Sequence, residues 1–390
     1  MAYPLATSTW DEQEYEAIQE VVREGMFTMG RRVRAFEEGF AKWTGSSYAV
    51  MVNSGSSANL LAIAALFFRK ENPLRAGDEV IVPAVSWSTT YTPLTQYGLV
   101  IRFVDIDPLT LNIDLNQLEA AITDRTRLLV AVNLLGNPND FARIETILAG
   151  RNIEVFEDNC ESMGALFEAR HAGTFGRMGS FSSFFSHHIS TMEGGLIVTD
   201  DLELYQILLS LRSHGWTRSL PKDNLVCGPL DDDPFNEAFR FVLPGYNVRP
   251  LEMSGALGLR QLEKLPAMIA GRRKNANIFV DLFRNHPRVR IQQETGDSSW
   301  FGFALVLRED SRIGRKALAD ALRREEIECR PIVAGNFLRN PVIQYMPHTV
   351  YGDLREANWI HDNGLFVGNH HYDIGDELVR LKRIVDRVGQ

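Results

Sequence analysis

Two adjacent histidines, His187 and His188, stand in FSSFFSHHISTMEGG (181–195), between small and aromatic residues on one side and Glu193 with a Gly pair on the other. The apolar run LIVTDD follows at once. Histidine is the side chain that gains and loses a proton near neutral pH, and α/β sheets present their ligand sites at strand ends. The stretch therefore offers two candidate bases at the end of a strand-like segment. A second stretch, Asn53 to Asn59 (NSGSSAN), joins a strand-like run to a helical one. Gly55 permits a tight turn, and free backbone N–H groups with the Ser56 hydroxyl make a cradle for one phosphate. It has neither a Walker nor a GxGxxG pattern, and the same residues also suit an N-capped helix that binds nothing. In EDNCE (157–161) a carboxylate ends an apolar run: Asp158 suits a cationic ring nitrogen, or equally a helix N-cap. Trp87 in PAVSWSTTY can stack on a flat ring, or serve as core.

The chain has 390 residues, about two typical domains. Its 45% hydrophobic and 23% charged residues are ordinary globular values. A net charge of -9 argues against a nucleic-acid surface, where a basic face is expected. The N-terminus has no basic start followed by an apolar core, and no apolar run approaches the roughly 20 residues of a membrane helix. A cytoplasmic, small-molecule protein is the expectation, with neither nucleic acid nor membrane as partner. Cys160, Cys227 and Cys329 are too few and too scattered for a disulfide framework or a thiolate cluster, and no spacing suggests a metal.

Residues 1–45 read as an arm and a helix. Short β-rich runs follow at 48–53, 79–83, 100–106, 127–135, 152–158 and 181–185, alternating with helical stretches. That alternation implies an α/β fold with a mostly parallel sheet covered by helices on both faces. The Asp-rich stretch 221–240 reads as a loop. A long helix over 251–276, broken or kinked at Pro266, would bridge to a smaller C-terminal α+β domain with strand signals in RVRIQQ, SWFGFALVL and ECRPIV.

Taken together, VNSGSSANL, VPAVSWSTT, VDID, EDNCESMGA, FSSFFSHHISTMEGGLIVTDD, RSHGWTR and GYNVRPLEMSGALG resemble the DegT/DnrJ/StrS group of vitamin B6-dependent sugar aminotransferases over essentially the whole chain. The resemblance implies fold type I, aspartate aminotransferase-like, with a mostly parallel seven-stranded sheet. It implies a large cofactor domain with an N-terminal arm at 1–255 and a small domain at 256–390. It further implies that Gly55, Ser56 and Ser182 hold the phosphate of pyridoxal or pyridoxamine phosphate, that Trp87 stacks on the ring and that Asp158 pairs with its nitrogen. Glu161, where most of the family has glutamine, is expected near the cofactor. Asn247 would reach the phosphate of a second copy, implying a homodimer with shared active sites.

One departure decides the implied reaction. In the family a lysine stands five residues after the serine corresponding to Ser182 and six before the acidic residue corresponding to Glu193; here that position is His187. An imidazole moves protons but cannot hold the cofactor covalently. His188 falls where the family usually has asparagine and is expected to be structural. Loss of lysine also fits a catalytically inactive binding protein, and an ordinary 4-aminotransferase would need the missing amine. The resemblance extends, through stretches such as QQETGDSSWFGF and NGLFVGNH, to a branch of the family that dehydrates sugars. That implies removal of the C3 hydroxyl of GDP-4-keto-6-deoxymannose, with L-glutamate as amino donor and ammonia released, in colitose-type O-antigen sugar biosynthesis. His214 is a candidate near the substrate or ring, and Arg218, Arg249 and Arg330 are candidates for the nucleotide diphosphate or the glutamate carboxylate, since guanidinium suits both. Each also reads as a helix-end or surface group.

Overall fold

The computed structural model describes residues 2–388. Runs such as EVIVP (79–83) are apolar and β-branched throughout, the pattern of a strand covered on both faces, and every residue of that strand is buried. In chain order the strands of the larger part are β1 (Tyr48–Val52), β2 (Glu79–Pro83), β3 (Val100–Val104), β4 (Thr126–Val132), β5 (Glu154–Asp158), the hairpin β6 (Leu166–Phe167) and β7 (Arg170–His171), β8 (Met178–Ser182) and β9 (Gly195–Thr199). The smaller part supplies β10 (Val289–Ile291), β11 (Gly302–Leu307), β12 (Cys329–Arg330), β13 (His348–Val350) and β14 (Gly364–Gly368).

The main sheet has the order β1-β9-β8-β5-β4-β2-β3-β13. From β8 to β13 all neighbours run parallel, and β9 runs antiparallel to both β1 and β8. Eight strands are present rather than seven. The additional one, β13, is a three-residue edge strand from the C-terminal part that pairs His348 with Ile101, too short to leave a period-2 signal. β10, β11, β14 and β12 form a separate antiparallel sheet, packed on a core that includes Phe279, Phe283, Phe303 and Leu378.

Three local expectations change. The N-terminal region holds two helices, Glu12–Glu24 and Arg31–Thr44, separated at Gly25, whose φ of 71° suits glycine and whose N–H donates to the Val21 carbonyl. The strand expected at 181–185 is Met178–Ser182, so the histidine pair lies in an irregular loop beyond its end. The long helix runs unbroken from Glu252 to Phe283 with Pro266 inside it. An internal proline costs about 3 kcal/mol or more. Burial on both sides of it, of Gln261 and Leu265 before and Met268, Arg272 and Phe279 after, offsets that cost. Residues 255 and 256 both lie within this helix.

Candidate active site

The C-terminal ends of β4, β5 and β8, and the turns following β1 and β2, open into one cavity of about 480 Å³. The arrangement is what a mostly parallel sheet provides, since all its helix-bound turns leave from the same edge. Gly55, Ser56, Trp87, Asp158, Glu161, Ser182, His187 and Arg330 all line this cavity.

After β1, Ser54 caps the helix Gly55–Phe68, its hydroxyl accepting the Ser57 N–H at 3.0 Å. The helix N-terminus with its unpaired N–H groups therefore faces the cavity beside the Ser56 hydroxyl, which lies 2.9 Å from that of Thr89. A Cβ on Gly55 would stand 2.7 Å from the Ser182 Cβ and 2.9 Å from the Cys160 sulfur, so only glycine lets the helix start meet the ends of β5 and β8. Trp87 precedes the helix Ser88–Gln96 and is 60% exposed, a flat face on the open side of the cavity.

Asp158, the last residue of β5, is buried and held from two sides. Its Oδ2 accepts from Asn59 Nδ2 (2.9 Å) and Thr90 Oγ1 (2.7 Å), and Oδ1 accepts the Cys160 N–H at 3.2 Å. These donors fix the carboxylate without neutralising it, which suits a cationic ring nitrogen in the cavity. Glu161 accepts the Leu135 N–H at 3.0 Å. Burial, opposed by that hydrogen bond and reinforced by the charge of Asp158, pushes its carboxyl up to about 7.

Beyond β8 the chain closes a loop on itself. Ser183 donates its N–H to the Gly194 carbonyl (2.9 Å), Thr191 donates to the Ser183 carbonyl (2.9 Å), and the two hydroxyls meet at 2.7 Å. Within it the His187 N–H donates to the Phe184 carbonyl at 2.9 Å, and the imidazole is half-buried against Phe301, ring centres 5.0 Å apart. His187 faces the cavity; His188 is fully buried, with Nε2 donating to the Ser299 carbonyl at 3.1 Å. Burial, and then the charge of Arg272, pushes His187 down to about 4, so it is a neutral proton acceptor at physiological pH. No lysine lines the cavity among the described residues.

Four sequence candidates lie outside this cavity in the single chain. His214 and Arg218 are exposed, the latter over the Trp216 ring, and exposed Asn247 accepts from Arg249 Nε at 3.0 Å. Residues that sequence reasoning did not single out complete the site: Asn59 and Thr90 as holders of Asp158, and Phe301 and Phe366 from the smaller sheet's neighbourhood. Asn59 sits inside the motif VNSGSSANL, but Phe301 is 114 positions from His187 and nothing in the spacing joins them. Among the described residues no group of three or more His, Cys, Asp or Glu is placed to hold a metal, and no helix is long and apolar enough to cross a membrane.

The chain is 59% identical over 386 residues to the GDP-4-keto-6-deoxy-D-mannose 3-dehydratase of Yersinia pseudotuberculosis, covering 99% of this chain and 98% of that one. The structure of the E. coli GDP-4-keto-6-deoxy-D-mannose 3-dehydratase with bound hydrated pyridoxal phosphate superposes with a TM-score of 0.97 at 60% identity, covering 98% of this chain and 99% of that one. Another solved structure, at TM-score 0.96 and 59% identity over 97% of this chain and all of its own, carries replacements of a serine by asparagine and of the following histidine by lysine. The family model matches residues 8–388, nearly the whole chain: the chain belongs to the DegT/DnrJ/EryC1/StrS aminotransferase family.

Proposed function

We propose that this chain is a pyridoxal phosphate-dependent nucleotide-sugar 3-dehydratase that removes the C3 hydroxyl of GDP-4-keto-6-deoxymannose, with L-glutamate as amino donor. The observation that carries the reading is a neutral histidine, rather than a lysine, at the loop beyond β8 in an otherwise complete cofactor cavity. The residues fit the cofactor: a helix N-terminus and the Ser56 and Ser182 hydroxyls suit its phosphate, the fixed carboxylate of Asp158 suits its ring nitrogen, and the exposed face of Trp87 suits its ring. When bound, the cofactor supplies an amine that engages the sugar's C4 ketone and a ring that takes up electrons. His187 would take the proton that the bound cofactor gives up and, as imidazolium, deliver it to the departing C3 hydroxyl, which would leave as water. With no amine among the cavity residues to recapture the cofactor covalently, the nitrogen brought in by glutamate leaves as ammonia.

Arg330, exposed at the cavity rim and without an ion pair among the described residues, is proposed for the diphosphate or the glutamate carboxylate. Asn247, His214, Arg218 and Arg249 are proposed to serve the site of a second copy in a homodimer. Exposed Phe185 (52%) and Met192 (45%), on the same loop as His187, support burial of the cavity mouth by that copy. Sedimentation is expected to give twice the chain mass, and a monomer at micromolar concentration would remove the shared-site proposal. Cytoplasmic work is proposed on the supply of nucleotide sugar and glutamate there.

Incubation with pyridoxal phosphate, glutamate and GDP-4-keto-6-deoxymannose tests the reading. Ammonia with a 4-keto-3,6-dideoxy sugar is the expected outcome; an amino sugar would make the chain a transferase, and no turnover a binding protein. The pH dependence tests Glu161. Its folded-state pKa is raised, so the carboxyl is a hydrogen-bond donor below about pH 7 and loses that role as pH rises through 7. Glu161→Gln keeps a donor at every pH. It is expected to abolish the alkaline fall of activity near pH 7 and to hold the rate below pH 6 within about threefold of wild type. Inactivity at all pH values would show that the carboxylate itself is required.

A further inference from the structure

We propose that Arg272 is a positioning residue for His187, gripping the backbone against which the imidazole packs and setting an uncompensated positive charge behind the histidine pair. Arg272 lies in the long helix and is 5% exposed. Its NH1 donates to the carbonyls of Phe301 (3.1 Å) and Asn369 (2.9 Å), and its Nε is buried without a partner. Among the described residues no carboxylate pairs with it. A buried guanidinium is ordinarily matched by an acid, because desolvation of a lone charge is costly. Here burial lowers its own pKa only to about 10, so it stays charged at neutral pH.

The grip reaches the base through Phe301. That residue's ring packs on His187 at 5.0 Å and on His188 at 5.8 Å. Its N–H donates to the Leu135 carbonyl at 3.0 Å, and the Leu135 N–H donates in turn to Glu161. Leu135 (φ 54°) and Trp300 (φ 47°) are both buried, non-glycine residues held in the left-handed region. Such backbone is strained and persists only where the surroundings over-determine it. Arg272 is part of what does so, and a continuous path runs from its guanidinium through Phe301 to both titratable groups proposed to act in the cavity.

The charge acts with the grip. The titratable and charged groups facing His187 are His188 and Glu193 from its own loop, Asp158, Cys160 and Glu161 from the end of β5, Arg330 from the smaller sheet, and Arg272. Burial followed by that same charge holds His370 and His371 down as well. A cation behind the imidazole keeps it unprotonated before reaction and makes the imidazolium a stronger acid toward the departing hydroxyl, while the Phe301 ring packs against it.

The inference rests on His187 as the base, but its test reads protonation and not turnover. In full-length protein labelled with 13C at histidine, the His187 signal is assigned by its loss in His187→Asn. In wild type it is expected to stay in the neutral position from pH 8 to 5.5. Arg272→Gln, which keeps a donor but no charge, should raise the midpoint by at least about one pH unit, a tenfold change in protonation ratio. Arg272→Lys should keep it low. A wild-type midpoint at the ordinary imidazole value overturns the proposal whatever the variants do, as does an unshifted midpoint in Arg272→Gln. Should that variant not fold, the wild-type and lysine titrations decide, and an ordinary midpoint in the charge-retaining lysine variant counts against it.

Discussion

Replacing His187 by asparagine is expected to reduce conversion of the keto sugar by about 10²–10⁴-fold, the range that a positioned general acid–base group supplies. Asparagine keeps a hydrogen-bonding side chain of similar reach but cannot cycle a proton near neutral pH. The loop around it is closed by the Ser183–Gly194 and Thr191–Ser183 bonds, in which His187 takes no part, so the fold and the cofactor cavity should survive the change. Cofactor affinity, followed by absorbance titration, should remain within a few-fold, and formation of 2-oxoglutarate from glutamate should suffer less than the full cycle. Full sugar turnover in the variant would remove His187 from the mechanism. The complementary change, His187→Lys, should create a covalent link to pyridoxal phosphate that borohydride fixes and mass spectrometry detects. A fixed adduct in the wild-type chain would mean that another lysine is the anchor.

Sequence reasoning reached the cavity because the parallel sheet turns linear order into spatial convergence. Residues 55, 87, 158, 182 and 187 are scattered over more than a hundred positions, yet each ends or follows a strand whose end lies on the same edge, so strand ends alone bring them together. What could not be read were the groups arriving from elsewhere. Phe301 packs on His187, and Arg272 of the long helix grips the Phe301 carbonyl, contacts that no local period encodes. The same limit hid β13, whose three residues pair with β3 across nearly 250 positions. Pro266 misled for a related reason, since its local cost is set against tertiary burial invisible to propensity. Between His187 and His188 the spacing favoured the first, and the physical difference is orientation: one ring meets the cavity and the other the Ser299 carbonyl.

Asp158→Asn should weaken pyridoxal phosphate binding by about 2–5 kcal/mol, roughly 30- to several-thousand-fold, as expected when one partner of a buried, hydrogen-bonded charge pair is removed. The amide cannot satisfy its surroundings in either orientation. With its oxygen at the Oδ2 position it keeps the bonds from Asn59 and Thr90 but sets an NH2 against the Cys160 N–H and toward the cavity. Flipped, it sets the NH2 against two donors. The first orientation retains more bonds, and it presents a donor to a ring nitrogen that itself carries a proton. Asn59→Ala is the control: it removes one of three donors and leaves the charge, so its cost should be nearer 1 kcal/mol. Equilibrium dialysis of the two variants separates charge from positioning. Equal losses would show that Asp158 acts as a structural acceptor, and an unimpaired Asp158→Asn variant would exclude it from contact with the ring nitrogen.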